Sequence, residues 1–286
     1  MLSPEIPRLP EGVVIRASGL DLGYGERLVL KDLNFEIRPG EFVGCLGPNG
    51  SGKSTLLNAL CGFLPPRKGS LLYEGVPLRQ MESRMRARRL AVVPQATEVH
   101  FPFTCFEVVL MGRYPHRRRW RHLGSEDLVA AVTAMARTTT TFLKDRPVTE
   151  VSGGERQRVI VARALAQTPE VLLLDEATSQ MDVRKKLEIF EVLQFLNESH
   201  NVTVICAMHD LNLAALFCRR LMFLKEGRLI KDGPTEEVFT SETLREVYDT
   251  DMEVAWHPGH ARPYAVMLPL SSGTGGLLLK GKVVTG

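Results

Sequence analysis

Nine residues, GPNGSGKST at 47–55, constrain this chain more than anything else in it. They match the phosphate-binding pattern GxxxxGK[ST] and lie between a β-rich run, EFVGCL at 41–46, and a helical pattern that begins at Lys53. The helix is read from apolar residues at Leu56, Leu60 and Phe63, and Pro65 and Pro66 stop it just beyond. Gly47, Gly50 and Gly52 let backbone N–H groups turn toward phosphate oxygens with no Cβ in the way, and the N-terminus of the following helix adds partial positive charge. Lys53 is placed to reach the β- and γ-phosphates, and the Ser54 hydroxyl to bind Mg²⁺. A chance match in a chain this long has a probability on the order of one in a hundred at average residue usage. The strand and helix on either side lower it further.

The rest of the chain is compatible with a globular fold built around that loop. Its 286 residues allow one large domain or two modest ones, and 44% hydrophobic with 24% charged residues exclude a disordered or fibrous chain. The longest apolar stretch, VTVICAM at 202–208, falls far short of the roughly 20 residues that span a bilayer. A net charge of +3 is too small to argue for a nucleic-acid partner, so none is expected. The N-terminal MLSPEIPRLPEG lacks the basic-then-apolar order of a secretory signal, and a cytoplasmic location is expected. Cys45, Cys61, Cys105, Cys206 and Cys218 are odd in number and widely spaced, which suits reduced, buried thiols rather than disulfides or a zinc site.

Four short runs bounded by Gly and Pro predict strands at 13–17, 33–37, 41–46 and 70–75. From about residue 96 to 167 the pattern turns mostly helical and reads as an insertion. After it, VLLLD at 171–175, a helix with Val183, Leu187, Phe190 and Leu193 on one face, VTVICAM and another helix form a β-α-β-α series. Continuous apolar strands joined by helices imply an α/β fold with a parallel sheet covered on both faces. The last thirty-five residues are less legible, and SSGTGG with the closing KGKVVTG predicts a loosely held tail.

Two further motifs complement the loop. Asp175 and Glu176 end an apolar strand, and ligands of a parallel sheet gather at the carboxyl ends of its strands. Asp175 is then expected to hold Mg²⁺, and Glu176 to polarise an attacking water as general base. Standing alone, the pair could equally be acids at a helix start. Ser152, Gly153 and Gly154 precede a helix with Glu155 and Arg156 in its first turn, forming a second anion-binding nest.

Taken together, residues 47–55, 152–157 and 171–179 resemble the ATP-binding cassette (ABC) ATPases. The resemblance implies a P-loop NTPase core with a mostly parallel sheet, an N-terminal antiparallel β subdomain and an inserted α-helical subdomain. It also implies an ATPase domain over 12–250, with the insertion at 96–167 and a C-terminal extension at 251–286. Among nucleotide-binding positions it adds Tyr24, stacking on adenine, together with Asn49, Ser51 and Thr55 of the loop. Gln95 would touch Mg²⁺ and sense the γ-phosphate, and His209 would contact that phosphate from the switch strand. Ser152, Gly153, Gly154, Glu155 and Asp182 would act in trans, on nucleotide held by a second copy in a head-to-tail homodimer. Three positions depart from the family pattern: Val151 stands for Leu, Ala177 for Pro, and Met181 for Leu in Ser-x-Leu-Asp. None removes a ligand.

The stretch FPFTCFEVVLMGRYPHRRRW at 101–120, with SGGERQR, resembles ABC importers for siderophores, haem and cobalamin. It implies an ATP-hydrolysing motor at the cytoplasmic face of the membrane, working with permease subunits and, indirectly, a periplasmic or surface binding protein. Phe101, Phe103 and Phe106 are candidate anchors for the permease, and Arg117, Arg118, Arg119 and Arg121 are the densest basic cluster found. An exporter motor or a soluble non-transport ABC ATPase remains the alternative. His257 and His260 in WHPGH lack a third ligand nearby and are expected to be ordinary surface residues.

Overall fold

The apolar runs that lack polar alternation become the centre of a six-stranded sheet. In the computed structural model, which describes residues 12–95, 101–117, 123–178, 181–259 and 261–268, that sheet is formed by β3 (Phe42–Leu46), β6 (Leu90–Val93), β7 (Val171–Asp175), β8 (Thr203–Ala207), β9 (Arg220–Lys225) and β10 (Arg228–Pro234). The order is β10-β9-β3-β8-β7-β6, and every pairing is parallel except that of β10 with β9. Alternate side chains feed two cores: Phe42, Leu172, Leu174 and Val204 face one, and Val43, Leu173 and Ile205 the other. Parallel pairing sends β3, β6, β7 and β8 in one direction. The segments that leave their carboxyl ends, with the phosphate loop, Gln95, Glu176 and His209, therefore share one edge.

A second, antiparallel sheet has the order β2-β1-β4-β5, from β1 (Ile15–Tyr24), β2 (Arg27–Ile37), β4 (Lys68–Tyr73) and β5 (Val76–Pro77). β1 and β2 run longer than the sequence predicts. Their pairing continues past Gly19 and Gly23 by slipping register between Ala17 and Leu20, Leu20 and Leu22, and Leu22 and Gly23, so these glycines lie at irregularities within the strand and do not end it. Helix α1 (Lys53–Leu60) buries Leu56, Leu57, Ala59 and Leu60 in the core shared by the two sheets. It stops short of Phe63, which is exposed, because Gly62 takes a left-handed φ of 73°.

Helix α2 (Ser83–Arg89) leads into β6. Between β6 and β7 lie α3 (Cys105–Leu110), α4 (Ser125–Arg137) and α5 (Gly153–Ala166), joined by short 3₁₀ turns. Beyond β7 come α6 (Val183–His200), α7 (Leu211–Phe217), α8 (Thr235–Val238) and α9 (Ser241–Tyr248). On α6, Phe190 and Leu193 are buried as expected, while Val183 is exposed beside the cap. All five cysteines are buried and unpaired, and burial pushes the Cys45 and Cys61 thiols up to about 12, so they are inert. No helix among the described residues is long and apolar enough to cross a membrane.

The chain after α9 is more ordered up to residue 268 than its sequence predicts. A hairpin of β11 (Met252–Trp256) and β12 (Pro263–Met267) packs on α7, where the Asn212 amide donates to the Ala265 carbonyl at 3.2 Å and accepts from its N–H at 2.7 Å. The Gly-rich segments at 271–276 and 280–286 lie outside the described residues.

Candidate active site

The phosphate loop has no room for side chains at two of its glycines. Gly47 has φ 152° and a Cβ there would lie 2.1 Å from the Leu224 carbonyl oxygen; Gly52 has φ 106° and its Cβ would lie 2.4 Å from Leu30 Cδ2. Gly52 is the N-cap of α1, so the loop delivers the chain directly into the helix that carries Lys53. The Lys53 ammonium donates to the carbonyls of Gly47 at 2.9 Å and Pro48 at 3.3 Å. Asn49, Gly50 and Ser54 stay exposed at the mouth, while Ser51, Lys53 and Thr55 are buried beneath it.

Three other strand ends meet this loop. The Ser54 hydroxyl donates to Asp175 Oδ1 at 2.9 Å, the Gln95 amide donates to Glu176 Oε2 at 3.0 Å, and Lys53 lies 3.8 Å from Glu176 Oε1. His209 Nδ1 is 3.9 Å from Glu176 Oε2. Burial pushes the Asp175 carboxyl above its usual range and the Glu176 charge adds to it, against the Ser54 hydrogen bond and Lys53. Glu176 itself sits at a left-handed φ of 45°, a costly backbone for a residue with a Cβ and a feature that clusters at functional sites.

Ser54 and Asp175, hydrogen-bonded to each other, and Gln95, held on the neighbouring Glu176, offer hydroxyl, carboxylate and amide oxygens, all hard donors, and burial and the Glu176 charge leave the Asp175 carboxylate in want of a cation. That chemistry fits Mg²⁺ and not a soft metal. Among the described residues no three His, Cys, Asp or Glu side chains gather as a transition-metal site. His257 accepts the Gly259 N–H at 3.1 Å, and His260 lies outside the described residues.

Tyr24 ends β1 with its ring half exposed, and its hydroxyl accepts from the Asn58 amide at 3.1 Å. Ser152 caps α5: its hydroxyl donates to Glu155 Oε2 at 2.8 Å and accepts the Glu155 N–H at 3.3 Å. Asp182 caps α6 through the Lys185 N–H at 2.9 Å. No hydrogen bond or ion pair among the described residues joins Ser152, Glu155 or Asp182 to the cluster around Lys53 and Glu176. The predicted residues thus fall into two main sets, one at the sheet edge and one at two helix starts, with Tyr24 apart from both at the end of β1. Val151, Ala177 and Met181, the departures from the family pattern, are all buried apolar residues, and Ser179 and Gln180 lie outside the described residues.

Sequence reading missed two supports. Asn58 steadies Tyr24, and Gln157 donates to the Pro94 carbonyl at 3.0 Å, tying α5 to the residue before Gln95. Asn58 stands one helical turn beyond Ser54 and Gln157 closes the second motif, and only the fold shows what their side chains reach.

A Gly-bounded phosphate loop at the end of a parallel strand, with an acidic pair on a second strand and a glutamine and histidine on two others, defines a P-loop nucleotide-binding ATPase fold. Residues 30–179 match the ABC transporter family model, and the chain belongs to that family. It is 41% identical to the cobalamin import ATP-binding protein BtuD of Halobacterium salinarum over 90% of its own length, and spans 64% of that relative. The hemin import ATP-binding protein HmuV of Streptomyces coelicolor is 40% identical, with 89% of this chain and 90% of the relative covered. The iron(3+)-hydroxamate import ATP-binding protein FhuC of Bacillus subtilis is 36% identical, covering 88% and 93%. Among solved structures, an ABC transporter described as metal-chelate type, in an inward-facing conformation, superposes with a TM-score of 0.78 at 28% identity, covering 90% of this chain and 98% of that one. A dimeric bacterial ABC transporter cassette gives 0.70 at 29% identity, covering 77% and 98%.

Proposed function

We propose that this chain is the ATP-hydrolysing motor of an ABC importer that powers uptake of a metal chelate, a siderophore, haem or cobalamin, through a separate membrane permease. The observation that carries the ATPase reading is the convergence of Lys53, Ser54, Gln95, Asp175, Glu176 and His209 at one sheet edge. Backbone N–H groups of the loop beyond Pro48 and the Lys53 ammonium hold the β- and γ-phosphates, and Tyr24 stacks on adenine. Ser54, Asp175 and Gln95 hold Mg²⁺, which when bound neutralises phosphate charge. Glu176 takes the proton of the attacking water as the water oxygen bonds to the γ-phosphorus and the bond to the β–γ bridging oxygen breaks. His209, beside Glu176, orients the γ-phosphate.

Ser152, Gly153, Gly154, Glu155 and Asp182 lie on a separate set of helix starts, which supports a composite site closed by a second copy, head to tail. The import reading is supported by the names of the cobalamin, hemin and hydroxamate relatives and by the metal-chelate transporter. A groove of about 270 Å³ lined by Phe103, Glu107, Leu110, Met111, Tyr114, Arg117 and Leu123 is the surface offered to the permease. Phe103 in its wall and Phe101 are exposed, whereas Phe106 packs partly on the core and is a weaker anchor than its sequence suggests. Arg118, Arg119 and Arg121 lie outside the described residues. The site would stand at the cytoplasmic face of the membrane, with the binding protein engaged only through the permease.

The test is reconstitution with the permease and binding protein in vesicles, with ATP hydrolysis and uptake measured for ferric siderophore, haem and cobalamin. One of these chelates should stimulate hydrolysis and accumulate. Phe103→Asp should abolish uptake while the isolated subunit still binds ATP, because a buried unpaired carboxylate at a docking surface is costly. Export of the chelate, or uptake undiminished by Phe103→Asp, would overturn the import reading or the docking surface respectively.

A further inference from the structure

Lys185 stands in the first turn of α6, beside the aspartate that caps it. Its ammonium is 3.3 Å from Asp182 Oδ2, and its backbone N–H donates to Asp182 Oδ1 at 2.9 Å. The same side chain runs past the second nest, since its Cδ is the atom a Cβ on Gly154 would meet, at 4.0 Å. Lys185 therefore bridges two elements that the chain separates widely, the start of α5 and the start of α6.

The nest already holds a negative charge. Two of its donors, the Ser152 N–H and hydroxyl, are already directed at the Glu155 carboxylate, at 2.9 and 2.8 Å. A triphosphate approaching Ser152 meets that carboxylate, and Asp182, which shares Lys185 with it, is a second negative charge nearby. Arg158 also acts on both carboxylates, but it is buried and turns inward to the Thr139 carbonyl. Lys185 keeps its head at the surface, with its side chain 36% exposed. A lysine ammonium is a compact charge on a flexible stem, suited to moving between a carboxylate and a phosphate.

We propose that Lys185 belongs to the nucleotide-facing surface of this chain: its ammonium, parked on Asp182 beside the Ser152 nest, meets the γ-phosphate of ATP carried by a second copy and offsets the Glu155 carboxylate there. This rests on the composite-site reading. None of the sequence motifs includes Lys185, because it follows Asp182 by one helical turn and its closeness to Gly154 exists only in the fold.

The experiment uses the Glu176→Gln chain, in which an ATP-bound dimer should persist, and measures ATP-dependent dimerisation by analytical ultracentrifugation at low and high salt. Lys185→Met should weaken the dimer about tenfold or more at low salt, the scale of one lost charge-assisted contact. Lys185→Arg should retain most of the affinity, and high salt should narrow the gap as screening replaces the ammonium. Ser152→Arg in the same background separates the two readings. If the Glu176→Gln parent forms no ATP-dependent dimer, or if Ser152→Arg dimerises as well as that parent, the composite site fails and this inference with it. If Ser152→Arg blocks dimerisation while Lys185→Met dimerises as the parent does at every salt, only the role of Lys185 falls. It falls equally if Lys185→Arg loses as much as Lys185→Met, or if the loss in Lys185→Met comes with a lowered unfolding midpoint of the monomer, which would mark a structural cap.

Discussion

Glu176 shows how much chemistry one residue's surroundings can carry. Its carboxylate has a lysine, a glutamine amide and a histidine around it, each from a different strand end, and its own backbone is held in the left-handed region. A carboxylate so placed has a cation nearby to balance it and an amide to fix its orientation. Glu176→Gln preserves shape and removes basicity. Single-turnover hydrolysis should fall about 10²- to 10⁴-fold, the usual worth of a positioned general base, while ATP affinity measured by fluorescent-nucleotide displacement stays near that of the parent. Turnover within a few-fold of the parent would remove Glu176 from the role.

At the scale of elements, the helix starts carry the second set of motifs. Ser152 with Glu155 on α5, and Thr104 with Glu107 on α3, form reciprocal capping boxes, so two of the three helices between β6 and β7 begin on a Ser or Thr followed three residues later by Glu. Hydrogen bonds from the Ser152 hydroxyl and N–H hold the Glu155 carboxyl below its usual range. A carboxyl with a depressed folded pKa contributes stability above its unfolded value, about 4.3 for Glu, and loses it as pH falls through the folded value. Ser152→Ala should therefore cost roughly 0.5 to 2 kcal/mol near neutrality, read by urea unfolding. The gap from the parent should narrow on acidification through about pH 4, leaving the part due to the bond from the Glu155 N–H to the Ser152 hydroxyl, which does not depend on the Glu155 charge. A gap that stays constant to the acid limit of folding would mean the cap does not depend on the Glu155 charge.

Across the whole molecule, the two sets of residues separate into different variants that can be mixed. Lys53→Ala damages the phosphate loop and leaves the Ser152 nest intact; Ser152→Arg does the reverse. If the sets meet only across two chains, a mixture of the two inactive variants regains one working site per heterodimer, up to about a quarter of parental activity when subunits exchange at random and sites act independently. Subunit exchange, followed by energy transfer between labelled chains, must be seen in the same sample. Full activity of Ser152→Arg at concentrations where the chain is monomeric would defeat the head-to-tail arrangement.

Much of this was written locally. The phosphate loop, the acidic strand end and the second nest are runs of neighbouring residues, and the apolar strands need no partner to be recognised, because full burial on both faces leaves no polar alternation. The family resemblance placed Tyr24, Gln95 and His209 by motif order. What the sequence could not supply is whatever depends on two distant segments meeting. The extra length of β1 and β2 depends on register slips against a partner strand, which carry the pairing past Gly19 and Gly23. The hairpin at 252–267 depends on Asn212 presenting an amide to its edge. Gln157 and Lys185 acquire meaning only because α5 reaches the residue before Gln95 and α6 starts beside Gly154. Short-range periodicity and spacing encode the elements and the motifs they carry; tertiary packing decides which side chains from separate elements share a few ångströms, since that distance is set by the folded path between them.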